Sequence, residues 1–501
     1  MKIVFLNPSF LPRYSRSQRS PAVTKSGTLY YPLWLSYAAG LMEQAGFEVK
    51  LIDAPADGHS HQQTLKIVKE FSPELLVMDT STPSIYNDTG LAEKIKESLP
   101  ECFIVLVGPH VSVLPGESLK LAPRVDAVAR GEYDLTVLEL AQAIKKNNFA
   151  CEKILGLSYK KSGQIIHNPD RALITDLDQL PLVSEVYKKH LNIKNYFFAA
   201  SLYPEVQILT ARGCPFRCFF CLWPQTFQGP IYRRRSPQNV LAEFIYIKNN
   251  LPEVKGIVIE DDTFTVDKKR TLEICDLLIK NKLKLEWNAN VRTDLDLETM
   301  QKMKEAGCYL IIAGIESTSQ DILDNINKGL KTSDMYNFFA NAKRAKLLVH
   351  AAFMAGNPGE TRESLARNLT LAKKFLPDTL QFFPITPYPG TQAYLWAKEN
   401  NYLKIDSFRD YLTEEGLHNC VIDLPGLSRQ ELVKWCDLSR KLFYLSPEYL
   451  LYKSKQLLHR PQDIARTLKT LCTFIKYLLR KPGVEPLFRP KGRGYLPEAK
   501  I

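Results

Sequence analysis

Short apolar runs alternate with stretches of helical period along most of this chain. In the first 150 residues, Ile3–Leu6, Val49–Ile52, Leu75–Met78, Ile104–Val107 and Val125–Ala129 are almost unbroken apolar segments. Helical stretches lie between them, near Leu33–Ala45, Gln62–Lys69, Thr89–Ser98 and Leu135–Lys145. Strands apolar on both faces and spaced by helices predict a doubly wound parallel sheet over residues 1–150. Such a sheet takes ligands at the carboxyl ends of its strands, where strand order reverses. The loops expected there are Asn7-Pro8-Ser9, Asp53 to Gly58, Asp79 to Ser84, Gly108-Pro109-His110 and Arg130-Gly131-Glu132. Their small and polar residues suit a closely approaching ligand, and equally suit ordinary turns.

Residues 151–205 read as a linker with a hairpin, Leu155–Lys160 turning into Gln164–His167. Alternation resumes over residues 206–400. Strands are expected at Val206–Thr210, Gly256–Glu260, Leu285–Asn290, Leu310–Ala313, Leu348–Phe353 and Thr379–Pro384, each followed by a helical stretch. Six such repeats predict a partial (β/α)6 TIM-like barrel, with chemistry at the carboxyl ends of its strands. Residues 401–501 read as mostly helical and basic. Leu432–Tyr444 is one helix, Pro447 opens another, and Ile464–Leu479 carries apolar residues at spacings of three and four.

The 501 residues, 45% of them apolar, suffice for about three domains and exclude disorder as the main description. The opening MKIVFLNP reads as a first strand rather than a signal peptide. No window of about 18 uncharged apolar residues suggests a spanning helix. A cytoplasmic protein is expected, its ten cysteines reduced or metal-bound. Net charge is +12; from Asn401 onward 18 Lys/Arg less 11 Asp/Glu leaves +7. That excess suits phosphate, nucleic acid or an anionic membrane, without choosing among them.

Cys214, Cys218 and Cys221 form a Cys-x3-Cys-x2-Cys loop directly after the first barrel strand. Three thiolates satisfy three irons of a cubane cluster and leave the fourth iron open. Structural zinc would need a fourth protein ligand, and no histidine lies before the next cysteine, Cys275. A purely electron-transferring cubane would want four cysteines. Buried unliganded cysteines are the plain alternative.

The loop resembles that of the radical S-adenosylmethionine (SAM) superfamily, and residues 1 to about 400 resemble its cobalamin (B12)-binding-domain group. The resemblance is carried by Gly108-Pro109-His110 and Arg130-Gly131-Glu132 in the first domain. In the second it is carried by Tyr232 to Pro237, Glu260 to Phe264, Gly314 to Ser317, Gly356 to Thr361 and Pro387 to Thr391, in that order. It implies a 4Fe–4S cluster on Cys214, Cys218 and Cys221, with SAM chelated on the open iron and cleaved to a 5′-deoxyadenosyl radical. Cobalamin is the third implied cofactor. One departure stands out: where a base-off cobalamin domain shows Asp-x-His-x-x-Gly, this chain has Asp53-Ala54-Pro55-Ala56-Asp57-Gly58. Proline cannot ligate cobalt, so the lower face is expected to be unligated, water-bound or met by another residue. His59 and His61 are the nearest replacements; otherwise they face solvent.

The same resemblance assigns cofactor roles. Glu260, Asp261, Asp262 and Glu316 are expected at the SAM amino group or ribose, with Asn290 and Arg292 as ribose or carboxylate partners. Gly356, Pro358 and Gly359 correspond to backbone lying against SAM. Ser81, Thr82, Gly108, His110, Gly131 and Glu132 are the expected cobalamin contacts, Gly108 leaving room for a buried tail and His110 otherwise capping the next helix. Gly213 is expected to permit a tight backbone approach, Phe219 and Phe220 to shield the cluster, and His350 to be a satisfied core histidine.

The leading expectation is methyl transfer to an unactivated carbon of a small-molecule or lipid substrate, with electrons from flavodoxin or ferredoxin. The alternative within the family is a non-methylating cyclase, oxidase or carbon–carbon bond-forming enzyme. An RNA-modifying enzyme of the methylthiotransferase kind would need three more cysteines in the first domain, where only Cys102 precedes the linker and Cys151 lies at its edge. Nucleic acid is therefore not the expected partner. A cobalamin or redox sensor would have no use for an open iron. Finally, Leu451 to Pro482 holds eight basic residues (Lys453, Lys455, Arg460, Arg466, Lys469, Lys476, Arg480 and Lys481) and one acid, Asp463. A helix with an apolar face and this basic surround suits peripheral contact with an anionic bilayer. The alternative is a helix packed on the barrel with its basic face in water.

Overall fold

Ile3, Val4, Phe5 and Leu6 are wholly buried, as an unbroken apolar run requires of a central strand. The computed structural model describes residues 1–146 and 150–478. Its first sheet holds β1 (Lys2–Asn7), β2 (Glu48–Asp53), β3 (Leu75–Asp79), β4 (Phe103–Val107), β5 (Ala127–Ala129), β6 (Leu157–Lys161) and β7 (Gln164–His167). The order is β2-β1-β3-β4-β5-β6-β7, with β1 to β5 parallel and the switch point between β1 and β3.

The hairpin expected in the linker extends this sheet instead. Strand β6 pairs antiparallel with β5, Ala127 opposite Tyr159 and Ala129 opposite Leu157. The short β5 would otherwise present an open edge of amides and carbonyls. A second difference follows Gly108, where the expected loop opens the helices Pro109–Val113 and Pro115–Leu121. Each has proline in its first position, where the missing N–H costs no hydrogen bond.

The second sheet runs β8 (Glu205–Ile208), β11 (Gly256–Ile259), β12 (Glu286–Val291), β13 (Cys308–Glu316), β14 (Leu348–Ala355) and β15 (Thr379–Pro384), all parallel and in that order. Two-residue strands β9 (Ala211–Arg212) and β10 (Arg233–Arg234) pair antiparallel beside it. The barrel is open, and side chains satisfy its edges. On the β8 side, Tyr31 donates to the Glu205 carbonyl at 2.7 Å, and Tyr187 to that of Gln207 at 2.9 Å. On the β15 side, the Tyr444 hydroxyl bonds both the N–H and the carbonyl of Leu380, each at 2.7 Å.

The C-terminal region is helical only from Arg429, in the helices Arg429–Tyr444, Pro447–His459 and Asp463–Leu478. The preceding residues 401–428 contain one short turn, Phe408–Tyr411. They bridge the two sheets: Phe408 packs edge-on against His110 and Tyr411 stacks on Tyr388. Among the described residues no helix is long and apolar enough to cross a membrane.

Candidate functional site

The cysteine loop is held from several sides. Asp261 accepts from Thr210 N–H at 2.6 Å, Thr210 Oγ1 at 2.5 Å and Ala211 N–H at 3.1 Å, clamping the chain as it enters the loop. Gly213 has φ +80°, and a Cβ there would fall 2.2 Å from the Ile231 carbonyl oxygen, so the expected close approach is present. Gln225 Nε2 reaches the carbonyls of Cys218, Phe219 and Cys221 at 2.9–3.2 Å, drawing the loop around its own amide.

All three cysteines line one cavity of about 610 Å³ with Arg19, Asp262, Asn290, Arg292, Glu316 and Lys328. Burial pushes their thiols upward, Cys214 to about 11 and Cys221 well above its ordinary value. Each would stay protonated near neutral pH unless a bound iron stabilised the thiolate. Among the described residues no three His, Cys, Asp or Glu side chains converge as a single metal ion would demand.

The acids divide by what already holds them. Asp261 gives both oxygens to the loop clamp and does not line the cavity. Glu260 accepts from Arg19 at 3.1 Å and Asn290 at 3.4 Å and does not line the cavity. Asp262 Oδ1 accepts from Arg19 at 3.2 Å, while its buried Oδ2 has no partner. Glu316 Oε1 accepts from Lys328 at 2.8 Å, and its buried Oε2 likewise has none. Two unpaired acceptors beside the cysteines fit a ligand carrying an ammonium group and hydroxyls, as SAM does. Glu316 also takes φ +59°, a conformation uncommon outside glycine.

Arg292 stacks on Phe216 of the cysteine loop, 3.6 Å from the ring centre, and donates to the carbonyls of Lys328 and Gly329 at 3.0 Å. Gly356, Pro358 and Gly359 are not brought to the cavity. A Cβ on Gly356 would meet Leu432 and Ile385, the Pro358 carbonyl accepts from Asn325, and Gly359 abuts the same Asn325. Phe220 does line the cavity, while Phe219 is buried beside it. His350 lines it too, pushed down to about 4 by burial, with Nδ1 2.8 Å from Thr379 Oγ1.

Several of the expected cobalamin contacts hydrogen-bond within the protein. Ser81 bonds Tyr14 at 2.9 Å and Ser84 at 2.7 Å. Thr82 bonds His110 Nδ1 at 3.1 Å, and burial lowers that imidazole to about 3. His110 makes no capping bond. The space beside Gly108 is filled by the protein: a Cβ there would lie 2.5 Å from the Thr80 carbonyl oxygen. Glu132 forms a bidentate pair with Arg233 at 2.7 Å, joining the two sheets. Gly131 donates its N–H to Ser112 Oγ at 2.9 Å.

Past the carboxyl ends of β2 and β5, however, His59 Nδ1 and the Tyr133 hydroxyl are buried without partners. These fit a ligand with both donors and acceptors, such as the amide-fringed corrin. His61 is occupied by the Ser9 carbonyl at 3.1 Å.

The sequence reading missed Arg19, which leaves the first domain to pair with Glu260 and Asp262 while lying 4.3 Å over Trp223. Its signal was the three-residue spacing of Arg13, Arg16 and Arg19 in a serine-rich loop. The basic C-terminal face is also corrected. Lys453 and Arg466 turn inward to buried Asp378, and Arg460 to Glu286 and Asp463. Ile464, Leu468, Leu471 and Ile475 are instead 43–54% exposed. The side chain of Lys476, like Arg480 and Lys481, lies outside the described residues.

The Radical SAM superfamily profile matches residues 208–372, and the B12 binding domain profile matches residues 19–141. The chain is 34% identical over 426 residues to the uncharacterized methyltransferase PH0819 of Pyrococcus horikoshii, covering 85% of this chain and 90% of that protein. It is 28% identical over 461 residues to the anaerobic magnesium-protoporphyrin IX monomethyl ester cyclase of Cereibacter sphaeroides, covering 90% and 72%. The solved radical SAM methyltransferase TsrM of Kitasatospora setae shares the fold at TM-score 0.66 and 16% identity, over 89% of each chain. The chain belongs to the radical SAM enzymes that carry an N-terminal B12-binding domain, and its cofactors are a 4Fe–4S cluster, SAM and cobalamin.

Proposed function

We propose that this enzyme methylates an unactivated carbon of an apolar, lipid-like substrate held in the barrel cavity. The observation that carries the reading is the continuity of that cavity, from the three cysteines past Ile312, Ala352, Met354 and Phe383 to the C-terminal helices. When bound, the cofactors supply a radical that removes a hydrogen atom and a methyl group that replaces it.

The chain's own residues do the rest. Asp262 Oδ2 and Glu316 Oε2 accept from the SAM ammonium and hydroxyls, and Arg19 and Lys328 hold those carboxylates in place. Arg292 fixes the loop through Phe216. The apolar lining excludes water that would quench a radical. Flavodoxin or ferredoxin is the proposed electron source, and the cytoplasm the proposed compartment. The outward leucines and isoleucines of the last three helices are the proposed contact with a bilayer surface.

Anaerobic reconstitution with methyl-labelled SAM, followed by mass spectrometry of incubated lipid extracts, tests the reading. Label on a product together with 5′-deoxyadenosine is expected. The deoxyadenosine without transferred label would replace it with the non-methylating alternative, which the relationship to the cyclase favours.

A further inference from the structure

The cavity has a second polar end. Tyr309 and Glu316 stand at opposite ends of β13, and seven residues of strand rise about 23 Å. Glu316 is at the cysteine end. At the other end, beside the starts of β14 and β15, the cavity is lined by the last helix. That helix is inside out: Asp463, Arg466, Thr467 and Thr470 face the protein, while Ile464, Leu468 and Ile475 face outward.

Arg466 is 3% exposed. It gives Nη1 to the Ala199 carbonyl at 3.3 Å and Nη2 to Asp378 at 3.2 Å, but its Nε has no acceptor. Guanidinium nitrogens only donate, so this N–H wants an oxygen. Beside it, the buried hydroxyls of Thr467 and Thr470 are also unpaired, and all three residues line the cavity. Charge here is already balanced. Lys453, Arg460 and Arg466 meet Asp378, Asp463 and Glu286, so what the site still offers is unpaired hydrogen-bond donors rather than net charge. Between the two polar ends the walls include Ile312, Ala352, Met354, Leu380 and Phe383, with His350 and Gln381 among them.

We infer that Arg466 Nε, Thr467 and Thr470 form a head-group site, and that the substrate is a long apolar molecule ending in a carboxylate. Its reacting carbon lies toward the cysteines and its carboxylate at the far end of the barrel. The inference rests on the reading of this cavity as the substrate chamber.

The test uses hexadecanoate and hexadecylamine, which share a chain but differ in head group, each titrated into the full-length holoenzyme. The wild type is expected to bind hexadecanoate at least about tenfold more tightly than the amine, which brings donors to a site of donors. Thr467→Val with Thr470→Val, close in shape and without hydroxyls, is expected to erase most of that preference while leaving the circular dichroism spectrum unchanged. Ala352→Trp, which plugs the middle of the cavity, is expected to abolish hexadecanoate binding. The inference is overturned by equal affinity for the two probes, by no saturable binding, or by a preference that survives the threonine pair. Binding that survives the plug would put the probe on the outward leucines and overturn it as well. Label transfer from SAM by the same preparation reports separately on the enzyme reading.

Discussion

The mouths of the two sheets treat the polar residues of their sequence motifs differently. At the barrel mouth, Asp262 and Glu316 each keep one buried oxygen without a protein partner. At the first sheet, Ser81, Thr82, His110 and Glu132 close on Tyr14, Ser84, one another and Arg233. Both sets were found by the same kind of motif. Their partners, not their place in a motif, separate a group available to a ligand from one already used in holding the fold.

Five substitutions sharpen or break this contrast. The largest effect is expected at Cys221→Ala, where iron content and the reduced-cluster electron paramagnetic resonance signal should fall and SAM cleavage should be lost. Unchanged iron and cleavage would remove the cluster assignment. Next is Glu132→Gln, which leaves the buried Arg233 with an uncharged partner. Breaking such a pair costs about 3–5 kcal/mol, read as a lower urea midpoint. A neutral result would mean that the two sheets do not depend on this link.

Glu316→Gln should weaken SAM binding by about ten- to a hundredfold, the range for losing a charge-assisted hydrogen bond. Ser81→Ala, at the other mouth, should lower stability by about 1 kcal/mol and leave cobalamin affinity nearly unchanged. A large loss of cobalamin affinity in Ser81→Ala would abolish the contrast.

The smallest effect concerns pH. Burial raises Asp53 and Asp79 from 3.8 to about 7. For an acid whose folded value is raised, the stabilising contribution is complete below the unfolded value and is lost as pH climbs through the folded one. The cofactor-free protein should therefore lose stability from about pH 4 to about pH 7 through these two groups. Asp53→Asn should flatten that fall, by about 2–4 °C in Tm for each kcal/mol removed. An identical pH profile in the variant would show that Asp53 does not titrate there.

Much of the fold was legible because its strands are apolar on both faces, so Ile3–Leu6 and Ile257–Ile259 announce themselves in a single run. The cysteine loop was legible because its ligands are local. What could not be read were pairings across hundreds of residues. Nothing near Arg19 points to Glu260, and nothing near Asp378 points to Lys453 and Arg466. The last helix misled for the same reason. Its apolar stripe suited either a bilayer or the barrel, and distant carboxylates drew its polar stripe inward.

Arg16 is fastened to Asp88 beside the first sheet, and Arg19 to Glu260 and Asp262 in the second. Three residues of chain span at most about 10 Å. The loop after β1 thus acts as a short tether, and its covalent length sets how far the two reaction centres can drift apart. Lengthening it by one glycine would loosen that ruler without touching a single cofactor ligand.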